Sequence, residues 1–352
     1  MTSFGTPSPA PALWIRRLAI AALALCFVVV VLGAYVRLTA AGLGCPDWPG
    51  CYGHITPIGA EQNMAAQAAY PNNPLHVGKA WREMIHRYAA STLGLLIVII
   101  TALAITSRRQ RLVSVPFAVL LLITVVVQGV LGMLTVTWQL KPLIVTLHLL
   151  FGLTTLSMLW WLFLSLRSAG RDNIRFGSGR TPGVYQARES PARTAALIAL
   201  IALGVQIALG GWTSSNYAAV ACPDFPKCQQ HWLPETHYRD AFVLWRGLGV
   251  NYEGGVLQHP ARVAIHFTHR LGALVASAAL IFAAVAALRR RGGRGTARVA
   301  AWAVLGALAL QLFIGASMVL SGFPLVLATA HNAGAALLVL AAIALYQSVR
   351  QS

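Results

Sequence analysis

Glu83-Met84-Ile85-His86-Arg87 stands where a polar stretch gives way to the long apolar run Tyr88 to Ile105. A second version, His266-Phe267-Thr268-His269-Arg270, opens another apolar run 183 residues later. Two further landmarks keep that offset: His148 corresponds to His331, and Gln128 to Gln311. The chain reads as a duplicated unit. Each copy carries two histidines at equivalent places, and the rest of the sequence is arranged around those four.

The apolar runs decide the class. Of 352 residues, 57% are hydrophobic and only 10% charged, where soluble domains carry about 25% charged residues. Several runs exceed the roughly 20 residues that cross a bilayer. The expected fold class is an all-α polytopic membrane protein, with helix packed on helix and lipid around it. A net charge of +18 would suggest nucleic acid in a soluble protein. Here the basic residues fall in short loops between apolar runs, where they orient the chain, and nucleic acid is excluded as a partner.

Eight segments follow from the pattern: approximately Trp14–Leu38, Met84–Thr106, Leu112–Thr137, Pro142–Leu166, Arg193–Ser215, Arg262–Leu288, Ala297–Leu320 and Pro324–Ser348. Leu18 to Leu32 continues into Tyr35-Val36-Arg37, so it reads as a first spanning helix and not as a cleaved signal; Met1 to Ala12 makes no transit peptide. With alternating crossings, Arg16, Arg17, Arg108, Arg109, Arg111, the arginines from Arg167 to Arg193, those from Arg289 to Arg298, and Arg350 share one side. That side is expected to be cytoplasmic, with both termini on it. The opposite side receives two long loops, near 39–83 and 216–261, and two tight turns, near Trp138–Lys141 and Ser321–Gly322. A linker, 168–192, rich in Gly, Arg, Ser and Pro, is expected to join two duplicated four-helix bundles, 1–167 and 193–352.

Gln128-x-x-x-Gly132, Gln206-x-x-x-Gly210 and Gln311-x-x-x-Gly315 repeat along the odd-numbered segments. Small residues allow close helix packing, with a Gln bonding across helices. The other reading is that the glycines make room for a flat macrocycle.

Intramembrane polar residues are costly and functional by default. His148 and His331 lie six and seven residues past Pro142 and Pro324, roughly 10 Å into the membrane at 1.5 Å per residue. His86 and His269 open the second and sixth segments. Imidazole is a usual axial ligand of haem iron, and two histidines on neighbouring helices could clamp one macrocycle, so each half is read as a bis-His haem site. Zinc would need four ligands close together, and each half offers two suitable histidines. The halves differ at one place. Glu83 lies one turn before His86 on the same face, and His266 takes the matching position. A carboxylate beside an iron ligand suits proton transfer or stabilisation of a cationic intermediate; it could also be an interfacial partner of Arg82 or Arg87. Arg87 and Arg270 follow the histidines as candidate propionate contacts or as interface anchors.

Five cysteines are present. Cys45-Pro46-Asp47-Trp48-Pro49-Gly50-Cys51 and Cys222-Pro223-Asp224-Phe225-Pro226-Lys227-Cys228 repeat a motif in the two long loops. Topology puts both pairs in the oxidising compartment, where a disulfide persists, either as a redox relay or as a staple over the pocket. Cys26 reads as an inert small core residue. His54, His76, His231, His237 and His259 show no clear spacing and read as surface residues.

These motifs together resemble the haem A synthase family. The resemblance covers nearly the whole chain: eight spans in two halves, the Glu-x-x-His-Arg at 83–87, the His-Arg at 269–270, single histidines at 148 and 331, and the loop cysteine pairs. It implies a bacterial inner-membrane enzyme that converts haem O to haem A by oxidising the C8 methyl to a formyl group, through two hydroxylations and loss of water. It further implies that His86 and His148 hold the substrate haem with Glu83 catalytic, and that His269 and His331 hold a haem b cofactor. Disulfides Cys45–Cys51 and Cys222–Cys228, a haem O synthase (farnesyltransferase) as upstream partner, an electron donor and a homo-oligomer are also implied. Two other functions compete on the residues alone. A di-haem carrier between quinol and an outer acceptor would use the same four histidines, and a thiol–disulfide oxidoreductase would use the cysteines.

Overall fold

A computed structural model describes residues 10–108, 113–176, 191–290 and 295–350. Most of the expected linker and Arg109, Arg111, Arg180, Arg188, Arg291 and Arg294 lie outside the described residues.

The helices run α1 (Ala10–Leu38), α2 (Pro57–Glu61), α3 (Met64–Ala68), α4 (Val77–Thr106), α5 (Val115–Thr137), α6 (Pro142–Phe176), α7 (Pro191–Ser215), α8 (Tyr238–Ala241), α9 (His259–Arg289), α10 (Gly295–Leu320) and α11 (Leu325–Arg350). Among the described residues, eight of these are long and apolar enough to cross a membrane: α1, α4, α5, α6, α7, α9, α10 and α11. The protein is an all-helical, multi-pass membrane protein.

Several helices begin before their apolar runs. α4 starts at Val77, ahead of Met84, and α9 at His259, ahead of Arg262. Glu83, His86, His266 and His269 are therefore well inside their helices, not at the first turn. Hydropathy marks where lipid begins; it does not mark where backbone hydrogen bonding begins. Lys79-Ala80-Trp81-Arg82 contains nothing that stops a helix, and Arg82 Nε folds back onto the Gly78 carbonyl at 2.9 Å. At its far end α6 continues to Phe176, into the stretch expected to be linker.

The α5–α6 and α10–α11 connections are tight. Leu140 N–H reaches the Thr135 carbonyl at 2.8 Å, and Phe323 N–H the Met318 carbonyl at 2.8 Å. Both need left-handed backbone, at Gln139 and Leu140 (φ 49° and 60°) and at Gly322 and Phe323 (φ 72° and 61°).

Packing follows chain order. α4 lies on α1 and α5, and α5 on α6; α9 lies on α7 and α10, and α10 on α11. One apolar core joins Ile15, Ile97, Leu121, Leu156 and Leu159, and another joins Leu203, Leu280, Val304, Leu338 and Leu345. α1 and α6 face α7 and α11 across the centre. Trp160 Nε1 donates to the Leu340 carbonyl at 2.8 Å there, and Arg37 Nη2 to the Ser214 carbonyl at 2.7 Å. Lys141, only 1% exposed, holds its Nζ 3.2 Å from the centre of the Trp245 ring. The outward faces of α5 and α10 expose Ile123, Val126, Trp302 and Phe313, as lipid-facing helices do.

Candidate functional site

The four histidines sit on α4, α6, α9 and α11. Each imidazole lies against a glycine of a neighbouring helix. A Cβ added to Gly33 (α1) would stand 3.0 Å from His86 Cε1, and at Gly132 (α5) 3.2 Å from His148 Cε1. At Gly210 (α7) it would stand 3.1 Å from His269 Cε1, and at Gly315 (α10) 3.0 Å from His331 Cε1. These distances are shorter than ordinary packing tolerates, so each ring occupies a seat that only glycine leaves open. His148 lies within electrostatic reach of His86, and His269 of His331. The rings thus come as two pairs, each flanked by two glycine-bearing helices. Among the described residues no three His, Cys, Asp or Glu side chains gather as a metal-holding cluster. Paired imidazoles with all-glycine neighbours suit a flat macrocycle gripped from two sides.

The Gln-x-x-x-Gly signature acquires a double meaning. In all three the glycine clears a histidine ring, and in two the glutamine bonds it: Gln206 Nε2 lies 3.0 Å from His269 Nδ1, and Gln311 Nε2 3.3 Å from both ring nitrogens of His331, while the Gln128 amide sits beside Gly152. Gly33 belongs to the same set, although α1 has Val29 where the others have Gln.

Above the histidines lie the cysteine loops. Cys45–Cys51 and Cys222–Cys228 are bonded disulfides, with all four cysteines buried, while Cys26 is a buried free thiol. The motif's aspartate organises each loop. Asp47 accepts from the N–H of Tyr52 at 2.6 Å and of Gly53 at 2.7 Å, and Asp224 from Gln229 at 2.6 Å and Gln230 at 2.7 Å. Burial works to raise the Asp224 pKa, but these N–H groups and the Arg270 charge outweigh it and hold the carboxyl below its ordinary range. Each loop closes with a backbone bridge, Cys51 to His54 and Cys228 to His231. His54 and His231 therefore do share a spacing, Cys-x-x-His, which corrects the expectation that the loop histidines follow none. Their role there is main-chain pairing.

Arginines tie the loops to the helices. Arg87 Nη1 donates to the Asp47 carbonyl at 2.9 Å and the Gly50 carbonyl at 2.5 Å. Arg270 reaches the Lys227 and Cys222 carbonyls at 2.7 and 2.9 Å. Below them the halves diverge. Glu83, 4% exposed, pairs with Arg87 Nη2 at 2.5 Å through Oε1 and accepts from the Cys45 N–H at 2.9 Å through Oε2. His266, also buried, faces Arg270 Nε at 3.2 Å through Nε2. The partner of Glu83 is Arg87; Arg82 turns away to the Gly78 carbonyl. A buried carboxylate bonded to the disulfide loop stands one turn from a histidine in one pair, and the other pair has nothing acidic there.

A family model described as "Cytochrome oxidase assembly protein" matches residues 16–343. A relative from Shewanella oneidensis described as "Heme A synthase" is 39% identical over 93% of this chain and 93% of its own length. The chain belongs to the haem A synthase family. Relatives with the same description are similar over comparable spans: one from Rhizorhabdus wittichii at 26% identity over 95% of this chain and 93% of its own, and one from Caulobacter sp. at 27% over 100% of both. Membership in the haem A synthases makes the chain an oxidoreductase of cytochrome oxidase assembly. The di-haem carrier reading finds no support among these relatives.

Proposed function

We propose that the protein oxidises the C8 methyl of haem O to the formyl group of haem A, at the pair His86 and His148. Two hydroxylations of that methyl carbon give a doubly hydroxylated carbon, which loses water to leave the aldehyde. The observation that carries this reading is the asymmetry under the loops. Glu83 lies buried one turn from His86, with His266 at the matching place beside His269. His86 and His148 are the ligands of the substrate haem, and His269 and His331 hold haem b, which supplies one-electron chemistry when bound. The division into halves 1–167 and 193–352 follows that assignment.

Glu83 is the catalytic residue. Its Oε2 rests on a main-chain N–H and its Oε1 on Arg87, so the carboxylate is oriented and can exchange a proton near the reacting methyl. Arg87 and Arg270 hold the loops, and a haem propionate reaching either guanidinium would share it with the loop carbonyls. The disulfide Cys45–Cys51 adjoins Glu83 and fits either an electron relay or a staple; Cys222–Cys228 fits a staple. Arginine-rich ends and both termini are assigned to the cytoplasm, in a bacterial inner membrane, with the cysteine loops outside. A haem O synthase supplies the substrate, an electron donor serves the enzyme, and the working form is a homo-oligomer.

Expression with and without a haem O synthase tests the reading. Haem extracted from the purified protein and identified by chromatography and mass is expected to include haem A or a hydroxylated haem O, beside haem b, when the synthase is present. Haem b alone under both conditions would overturn it. Glu83→Gln is expected to lower conversion by roughly 10²–10⁴-fold, the range for losing a proton-transfer group; parental haem A yield would remove Glu83 from the chemistry.

A further inference from the structure

Two cations share one pocket at the seam between the first and last four spans, at the end that carries the cysteine loops. Lys141 and Pro142 line it from the α5–α6 turn, Trp212 and Asn216 from the end of α7, and Leu244 and Arg246 from the second long loop. Its walls are fixed. Trp212 Nε1 donates to the Ala241 carbonyl at 2.9 Å, and Asn216 Nδ2 to the Trp212 carbonyl at 3.0 Å. Lys141 is 1% exposed, and its Nζ has no hydrogen-bond partner. The Trp245 ring centre lies 3.2 Å from Nζ and the Trp138 ring centre 5.5 Å from it. Ring faces meet the charge from one side, but an ammonium carries three donors, and a buried donor left unmade costs free energy.

Nothing acidic balances either cation. Arg246 makes one hydrogen bond, from Nη2 to the Asp240 main-chain carbonyl at 2.6 Å. Among the described residues the ion pairs are Glu83 with Arg87 and His237 with Asp240, so neither Lys141 nor Arg246 has a carboxylate partner. A third positive element adjoins them. α6, 35 residues long, begins at Pro142, directly after Lys141, and a helix N-terminus carries partial positive charge and unpaired N–H groups. Two cations beside a helix N-terminus make a site for an anion.

We propose that Lys141, Arg246 and the start of α6 bind the phosphate of an anionic lipid from the leaflet at this end, and that the lipid ties the first four spans to the last four. Size and surroundings select that class. The pocket has room for about one water-sized group, so one anionic oxygen enters and the rest of its molecule stays outside. Trp138 and Trp245 stand edge to face at 5.7 Å beside it, and tryptophans at the ends of spanning helices lie at the level of lipid headgroups. Basic pockets between spans attract anionic headgroups there. Val243 and Leu244, exposed at the mouth, offer contact to the glycerol and first chain carbons of a lipid, which a free phosphate lacks. The site is independent of which haem each half holds.

The test uses the full-length protein in a neutral maltoside detergent with phosphatidylglycerol or phosphatidylcholine added, read by native mass spectrometry and by thermal midpoint. The parent is expected to retain one phosphatidylglycerol in preference to phosphatidylcholine, and to melt higher with it. Arg246→Gln and Lys141→Met are each expected to weaken that retention by about fivefold or more, the effect of one basic side chain on a membrane anion. Arg239→Gln, an exposed cation of the same loop outside the pocket, should retain the lipid as the parent does. Equal retention of both lipids by the parent, or parental retention in Arg246→Gln, would overturn the proposal. Should Lys141→Met fail to fold, Arg246→Gln decides alone. Inorganic phosphate at the same concentration separates the two sources: it is expected neither to raise the midpoint nor to displace the lipid. Protection by phosphate alone would give the pocket to a free anion and overturn the lipid. Retention that appears only after bound haem is extracted would give it to a haem carboxylate, and overturn the lipid as well.

Discussion

Glu83 shows how a single charge is kept under the membrane surface. It is buried and has two partners, the Arg87 guanidinium and the Cys45 N–H. Breaking a buried pair from one side costs more than removing both charges, about 3–5 kcal/mol against much less. Arg87→Met is therefore expected to destabilise the protein by at least about that amount, and Glu83→Gln with Arg87→Met to recover only the share due to the orphaned charge, since the loop carbonyls held by Arg87 stay unpaired, read as thermal midpoints in detergent. The glycine seats give a second expectation. Gly210→Val adds bulk where a Cβ already lies 3.1 Å from His269, and should displace that ring and lower the haem b to protein ratio severalfold. Gly204→Val on the same helix, where a Cβ meets nothing within 4 Å, should leave the ratio unchanged.

At the scale of elements, each cysteine loop is a folded unit with an aspartate at its centre. The Asp224 carboxyl is held below its ordinary range by the N–H groups of Gln230 and Gln229 and by Arg270, against the upward pull of burial. A lowered folded-state pKa gives stability that is full above the unfolded-chain value and is lost as pH falls through the folded one. Hydrogen exchange of the 222–231 segment, corrected for intrinsic rates, should therefore show protection of Gln229 and Gln230 disappearing in acid below the usual carboxylate range. In Asp224→Asn that pH dependence should be flattened. The sequence displays this loop twice, and its conspicuous residues are the cysteines. The aspartate's work is with main-chain N–H groups, which leave no periodic trace; only the repeated Cys-Pro-Asp and Cys-x-x-His spacings could have pointed to it. The helices themselves were legible, because lipid demands long apolar runs. Their ends were not, since α4 and α9 continue past the hydrophobic boundary, and a polar residue on a helix above the lipid breaks no rule.

Across the whole molecule, the first and last four spans are joined by contacts that no local pattern announces. Lys141, in a tight turn, is covered by Trp245 from a loop about a hundred residues away in the chain. Trp245→Ala removes a cation–π contact worth about 0.5–2 kcal/mol, and the thermal midpoint is expected to fall accordingly. The histidine pairs were legible because duplication placed them at a fixed offset. Their inequivalence was only half legible: Glu83 against His266 stands in the sequence, whereas the engagement of Gln206 and Gln311 depends on which way each helix turns its face. Orientation is open to measurement too. A phosphatase reporter inserted in the 216–261 loop should be active, and one fused after Arg350 silent, if the arginine-rich end lies in the cytoplasm.

The arginine clamps carry one further consequence. Arg87 and Arg270 grip the loops by main-chain carbonyls, and the loops keep their shape through one aspartate and one backbone bridge. Four positions differ, Trp48 and Phe225, Gly50 and Lys227, Tyr52 and Gln229, Gly53 and Gln230, and one of them adds an anchor of its own: Tyr52 Oη donates to the Asn73 carbonyl at 2.8 Å, and Gln229 Nε2 to the Ala221 carbonyl at 3.2 Å. Segments 45–54 and 222–231 are thus equal in length and held by the same arginine grip, and each is keyed to its own half by the residue at that one position. What distinguishes the two halves is written in the helices beneath and, at that one position, in the lids as well.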